Sequence, residues 1–411
     1  MKFLPIRVSF ILILIIWSCP VTFAASEEAS GKFLGVKGCS TTDCHGGPVE
    51  KLEGRTLHNE FTTWMAKDKH AQSFANLVNR DSIKIAKSLG IAKTQESDRC
   101  MNCHSVFEAF KDESRRGKDF ELSDGNSCDD CHGPAEKWLE PHAKTKPEHK
   151  SWTRQESLDA GMNDTLDLAT RSELCVKCHL QIDHELLEAG HPKMIFEMDL
   201  YQSIMPPHWT EGESFDATRA WATGQVLGLR EAVLQLAHRV QANADEKWIQ
   251  HAHQISQGYN LTTAILVEKI DGNLGKSIAA AMAEVGAAVA AGSPDMKRLK
   301  AAIDGGLSAD LTTLSKKVAG TTFDASINGE LMKAIAATTE SVHEIGMSGG
   351  TLVALALDSL YRPWKSVKKP EKVAKKTAKN AIKTMLELVE KPENWDSNAF
   401  IESMVSFAST L

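Results

Sequence analysis

The sequence predicts a mainly α-helical protein in two parts: an N-terminal part of short helices and long loops, and a C-terminal α-helical bundle. Two observations lead to this fold class. All nine cysteines lie before residue 179, so any chemistry that needs cysteine is confined to the first part. From about residue 216 onward, apolar residues recur at the spacing of an α-helix, as in Trp221, Val226, Leu229 and Val233. No alternating strand pattern competes with this spacing.

The first 24 residues have the layout of a cleavable secretory signal. Lys2 and Arg7 precede an apolar run over residues 8–17, and small residues lead to a cleavage point after Ala24. We therefore predict a periplasmic or otherwise exported protein without a transmembrane segment after cleavage. Lipidation at Cys19 and an uncleaved anchor are the alternatives. Cleavage removes two positive charges from a chain of formal charge −7, and the resulting −9 argues against nucleic acid as a partner.

Eight of the nine cysteines form pairs, and a histidine directly follows each pair. Three pairs have the spacing Cys-x-x-Cys-His, which attaches c-type haem because two thiols must meet the two vinyl groups of one porphyrin while the next residue reaches its iron. The first pair has four intervening residues, a longer variant. We predict four covalently bound haem c groups, attached through Cys39 and Cys44, Cys100 and Cys103, Cys128 and Cys131, and Cys175 and Cys178, with the motif histidines His45, His104, His132 and His179 as iron ligands.

Other uses of these cysteines remain open. Cys39 and Cys44 could instead form a disulfide or a zinc site, which would leave three haems. For the whole set, structural zinc normally combines two pairs into one four-ligand site, whereas here each pair brings its own histidine. This regularity favours one haem per pair.

The second iron ligand of each haem has to come from outside the motifs, and histidines are concentrated in the same segment. After the fourth motif we rank His191 first, because Gly190 lets the backbone approach a flat ring closely and Pro192 stiffens the turn. We expect His58 and His149, in polar stretches, to face solvent. Methionine sulfur is a further candidate ligand. The predicted second ligands are His70, His142, His191, His208 and His184.

Residues 31 to about 210 resemble the tetrahaem cytochrome c-554 family, whose best-known members accept electrons from hydroxylamine oxidation. The resemblance rests on four motifs in similar order, on Trp64 followed by His70-Ala71, and on Cys131-His132-Gly133-Pro134 followed by His142. It implies that His70 and His142 are second ligands and that the haem at His104 lacks a sixth protein ligand. The chain departs from the family in its longer first motif, its rebuilt fourth-haem region and its last 200 or so residues, which have no counterpart.

We predict a signal peptide over residues 1–24, a tetrahaem cytochrome c domain over 31–212 and an α-helical domain over 216–411. A lysine-rich stretch between residues 365 and 383 is interpreted as a solvated helix face or a docking patch for an acidic redox partner. His251 and His253 have no cysteine pair nearby and are interpreted as part of a packed helix face. Helices are predicted in the last domain at 278–291, 296–318, 328–345, 350–361 and 371–391.

Haems so closely spaced in the chain predict electron transfer between redox proteins, with no dedicated catalytic residue. The alternative is an oxidoreductase that acts on a small nitrogen or sulfur compound at one five-coordinate haem, because an open iron position can bind a small molecule. A third hypothesis is an adaptor subunit, in which the helical domain binds to a larger complex and the haems relay electrons.

Overall fold

The computed structural model describes residues 31–51, 56–143, 152–206, 208–212, 215–289 and 294–411. The predicted signal peptide, Cys19 and His149 lie outside these residues. Within them the chain is mainly α-helical, which confirms the predicted fold class. Extended backbone pairs there only in the isolated bridge between Phe33 and Arg116.

The first part of the described chain consists of short helices separated by loops. The longest, α9, has 12 residues. Two small apolar clusters, one around Phe33 and Phe120 and one around Leu77 and Met101, form its side-chain core. The helices α1 to α11 are Glu60–Lys67, Ser73–Asn76, Arg80–Ser88, Asp98–His104, Phe107–Lys111, Cys128–His132, Leu139–His142, Arg154–Asp159, Leu168–His179, His184–Glu188 and Met198–Ile204.

The second part is a bundle of longer helices. The helices α12 to α20 are Ala217–Gln241, Glu246–Ile270, Gly272–Val289, Met296–Ala302, Ser308–Ala319, Ala325–Ala336, Val342–Lys368, Lys372–Leu388 and Ser397–Ala408. None of the helices in the described residues is both long and apolar enough to cross a membrane.

Three predicted helices in this part had the wrong bounds. The helix predicted over 296–318 is divided by a π-helical turn, Ile303–Leu307, in which Gly306 has φ 135°. The helix predicted over 328–345 ends at Ala336. Helix α18 runs through the predicted stop at 361 to Lys368, with Gly346 at φ 57° near its start and Pro363 inside it. Glycine allows the irregular backbone at Gly306 and Gly346, since it adopts positive φ without steric cost.

Helix α12 lies at the centre of the bundle, because small residues let its neighbours approach closely. A Cβ atom on Gly228 would lie 2.4 Å from the ring of Tyr259 in α13, and one on Gly224 would lie 2.5 Å from Cβ of Met198 in α11. Positions four residues apart share one helix face. Glycine at these two positions therefore allows α11 and α13 to pack directly against α12.

The bundle core also includes the helix that carries the fourth motif. Leu168 and Val176 of α9 belong to the same apolar cluster as Phe407 near the chain end. Across this junction Arg230 of α12 forms an ion pair of 2.8 Å with Glu173 of α9. The helix of the fourth motif thus packs against the bundle. The domain boundary near residues 212–216 stays a prediction.

Candidate haem-binding site

The three regular motifs lie on helices. The second is the end of α4, the third forms α6, and the fourth ends α9. In an α-helix, residues at i, i+3 and i+4 share one face, so each Cys-x-x-Cys-His motif directs two thiols and one imidazole to the same side. This is the geometry that covalent haem attachment needs.

The first motif is a compact turn in place of a helix. Its four intervening residues would put the second cysteine on another helix face. Here the backbone N–H of His45 donates to the carbonyl of Cys39 at 3.2 Å, and that of Gly46 donates to Thr41 at 2.9 Å. The turn brings the backbone of His45 next to that of Cys39, so the two extra residues do not separate the histidine from the first cysteine.

Contacts between cysteines arrange the four motifs in a row. Cys128 of the third motif has the largest effect on the pKa of Cys39 of the first and lowers it, and Cys178 of the fourth has the same effect on Cys103 of the second, so the members of each pair lie close together. Cys131 of the third motif lies near enough to Cys175 of the fourth for their charges to interact. The spatial order of the motifs is therefore first, third, fourth, second. All eight cysteines in the described residues are free of disulfides.

Three motif histidines face a second histidine at nearly constant separation. The ring centres of His45 and His142 lie 6.4 Å apart, with planes 5° from parallel. Those of His179 and His70 lie 6.2 Å apart, and those of His104 and His191 lie 6.4 Å apart. The pairs join residues far apart in sequence, so the repeated distance is a product of the fold.

This separation fits an iron atom between the rings. A metal–imidazole bond is about 2 Å long, and two such bonds plus the two ring radii give a centre-to-centre distance of about 6 Å. Ordinary aromatic pairs have ring centres about 4.5–7 Å apart, so it is the repetition of one value at three motif histidines that points to an atom between the rings. The three histidine pairs therefore fit bis-imidazole ligation of haem iron.

The outer nitrogens of these rings are held as ligand imidazoles require. Nδ1 of His104 donates to the carbonyl of Ser73 at 2.6 Å, Nδ1 of His191 to that of Pro192 at 2.9 Å, and Nδ1 of His142 to that of Leu139. A carbonyl only accepts, so Nδ1 carries the proton and Nε2 has a free lone pair. Such second partners fix the ring and its tautomer for metal binding.

His132 has no ring contact with a second histidine among the described residues, and its neighbourhood points to His208. Burial lowers the pKa of His132 to about 4, and the next largest contribution comes from His208. Nδ1 of His208 donates to the carbonyl of Pro206 at 3.0 Å. His208 therefore carries its proton on Nδ1 and has a free lone pair on Nε2, as His104, His142 and His191 do.

Two expectations about individual histidines need correction. The resemblance implied an open position at His104, but His191 lies opposite it. His58 was expected to face solvent, but it is half-buried, its ring centre lies 6.5 Å from that of His45, and its Nδ1 donates to the carbonyl of Cys44 at 2.9 Å. His45 therefore has two histidines at this separation, His142 and His58. His184, by contrast, makes no ring contact with a motif histidine in the described chain, and its Nδ1 is buried without a partner there.

Two carboxylates that the sequence motifs did not indicate raise the pKa of two histidines of the site. Glu60 accepts from Nδ1 of His45 at 2.9 Å and raises its pKa, and Asp68 does the same for His70 at 2.9 Å. A carboxylate partner makes a ligand imidazole more basic. Asp68 could have been noticed as an acid two residues before a candidate ligand; Glu60 has no such signal.

The zinc interpretation finds no support among the described residues, where no group of three or more His, Cys, Asp or Glu side chains is arranged to hold a metal ion by itself.

Comparison with known families gives a match: residues 39–133 match the family described as cytochrome c554 and c-prime. Neither the curated proteins nor the solved structures contain a match to this chain.

Proposed function

Residues 39–133 match the cytochrome c-554 family, and from that premise we propose that the whole chain, with its added C-terminal helical domain, is an exported tetrahaem cytochrome that carries electrons between redox proteins. The match supports a c-type cytochrome with covalently bound haem c that takes part in electron transfer. The count of four haems, the ligand assignments, the periplasmic location and the redox partners are our proposals.

The observation that carries the proposal is the pairing of histidines. The ring centres of His142, His191 and His70 lie 6.2–6.4 Å from those of motif histidines. His208 lies near His132 and donates from Nδ1 to a carbonyl, which leaves its Nε2 free for a metal. Haem with two imidazole ligands exchanges single electrons and has no vacant position for a substrate. Three such pairs, with His208 as the candidate partner of His132, favour an electron carrier over an enzyme.

The spatial order of the motifs supports the same conclusion. The contacts between motifs form a chain from the first to the third, the fourth and the second, so no attachment site is isolated. The motifs at the two ends of the row, with His45 and His104, are the natural exchange points for donor and acceptor. The protein's own contribution is to hold the attachment sites close together and to orient their ligands.

The carboxylates of Glu60 and Asp68 distinguish the sites in the row. A more basic imidazole stabilises the oxidised metal, so we expect lower reduction potentials at the sites of His45 and His70 than at those whose ligands donate only to carbonyls. This gives the row a built-in difference in potential.

Haem content and spin state of the purified, haem-loaded full chain test the proposal. A pyridine haemochrome assay should give four haems per chain, and electron paramagnetic resonance should show only low-spin ferric iron. Three haems would mean that Cys39 and Cys44 do not attach one. A high-spin signal that responds to a small ligand would refute the closed carrier and favour an oxidoreductase acting on a small molecule.

A further inference from the structure

A small cavity lies between the fourth motif and the helical bundle. Its volume is about 30 Å³, and His179, Gln235, Arg239 and His251 contribute to its walls. A wider recess of about 270 Å³ shares His251 and Lys193 with it. A cavity of at least about 10–15 Å³ can hold a water molecule. This cavity therefore has room for one small ion or one polar group.

One wall is formed by a buried cation that has no carboxylate partner among the described residues. Arg239 is 4 % exposed. Its guanidinium donates to the carbonyl of Trp248 at 2.8 Å and that of Ile182 at 3.5 Å, and to Nδ1 of His251 at 3.0 Å. All three acceptors are uncharged: burial, followed by the charges of Arg239 and Lys193, lowers the pKa of His251 to about 3.

The surrounding charges do not neutralise Arg239. Among the described residues, Asp183 is the carboxylate whose charge acts on Arg239, but Asp183 pairs with Nε of Arg99 at 2.9 Å and caps α10. Lys193 adds a second positive charge at the mouth, 5.8 Å from the centre of the Trp248 ring. Burial lowers the pKa of Arg239 to about 10, so it is still charged at neutral pH. A buried charge without a counter-charge is strongly unfavourable, because the protein interior solvates it less well than water does.

Unpartnered polar atoms line the same cavity. Within the described residues, Nε of Arg239, Nδ1 of His179 and Oε1 of Gln235 are buried and have no hydrogen-bond partner. The first two are N–H donors when Nε2 of His179 is a ligand nitrogen, and the amide of Gln235 can turn to offer a third donor. Each buried polar group without a partner loses its hydrogen bonds to water and gains none in return. Donors and a net positive charge therefore converge on one small space.

We propose that this cavity binds one anionic group, which Arg239 holds together with the Nδ1–H of His179. The chemistry fits two sources, a free small inorganic anion and a haem propionate carboxylate. Water would satisfy the donors but would leave the charge of Arg239 uncompensated. The site goes beyond the proposed function, and because an anion on Nδ1–H makes the other ring nitrogen more basic, it connects anion binding to the reduction potential at the fourth motif.

Crystals of the haem-loaded full chain, grown in sodium bromide, test the occupant directly. A bromide anomalous peak within hydrogen-bond distance of Arg239 supports a free anion. A propionate oxygen at that place, without a peak, supports the second source. Water alone at that place overturns the proposal.

Potentiometry gives an independent readout. With a free anion, bromide lowers the midpoint potential of one haem, Lys193→Gln at the exposed mouth weakens the apparent bromide affinity severalfold, and Arg239→Gln abolishes the shift. With a propionate, bromide has no effect, but Arg239→Gln lowers one midpoint. Lys300→Gln, an exposed charge change away from the cavity lining, should behave as wild type in both cases. If neither bromide nor Arg239→Gln moves a midpoint, the proposal is wrong.

Discussion

Lys177 and Asp130 form an ion pair of 3.5 Å between two different attachment motifs. Asp130 is one of the two residues between the cysteines of the third motif, and Lys177 holds the same kind of position in the fourth. Positions that haem attachment leaves free to vary thus join neighbouring sites in the row.

We expect this pair to stabilise the protein modestly. Its side chains are 45 % and 16 % exposed, and partly exposed pairs contribute up to about 1 kcal/mol. A double-mutant cycle of Lys177→Gln and Asp130→Asn, followed by urea unfolding, should give a coupling energy of that size that shrinks in high salt. A coupling energy of zero at low salt would show that the contact does not hold the motifs together.

His191 and His184 form a matched pair for testing the second ligand at the His104 site. His191→Ala should convert one haem per chain from low spin to high spin, because it removes the ring 6.4 Å from that of His104. His184→Ala should leave all spectra unchanged. Electron paramagnetic resonance and the haem count distinguish the two variants; the reverse pattern would assign the ligand to His184.

Glu197 should make stability depend on pH. It is fully buried and accepts from Ser359 Oγ at 2.9 Å and from the backbone N–H of Leu200 at 2.6 Å. Burial, and then the charge of Asp199, raises its pKa from 4.5 to about 7. The fold therefore favours the protonated acid, and this stabilisation is complete below pH 4.5 and is lost as the pH rises through 7.

The expected loss is about 3 kcal/mol across that interval. Glu197→Gln keeps an acceptor and removes the titration, so the free energy of unfolding of this variant should lack the decline. Glu393→Gln, at an exposed position, is the control and should follow the wild type. Urea unfolding at several pH values measures the effect. Parallel curves for wild type and Glu197→Gln would contradict the prediction.

The close approach of α13 and α18 depends on two glycines. A Cβ on Gly258 would lie 2.7 Å from Cα of Gly349, so Gly258→Ala must push the helices apart and should cost about 1–3 kcal/mol. A Cβ on Gly286 would have no neighbour closer than 3.9 Å, and Gly286→Ala should stabilise α14 by about 0.5–1 kcal/mol. The urea midpoints should move in opposite directions. A stable Gly258→Ala variant would mean that the bundle yields at this contact.

Local patterns allowed much of the candidate site to be predicted. The three regular motifs depend on residues within a single turn, so their spacing alone predicted attachment, as at Cys128. The longer motif at Cys39 was predicted with the support of the other three, and a disulfide or a zinc site was its alternative. The pairing of His191 with His104 could not be predicted in the same way, because it depends on how the loop after α10 returns to α4. Helix bounds failed around Gly306 and Gly346 for a related reason, since packing decides whether a glycine continues or interrupts a helix.

The sequence by itself determined which side chains are candidates for haem attachment, which segment carries them, and where cysteine-free helices begin. These properties come from covalent spacing and from the 3.6-residue period, both local. Only the tertiary structure decided the order of the motifs, the pairs of histidines and the buried charge of Arg239. Each of these arises when distant segments are packed together, and the burial that results is what makes an imidazole pair or a lone guanidinium significant.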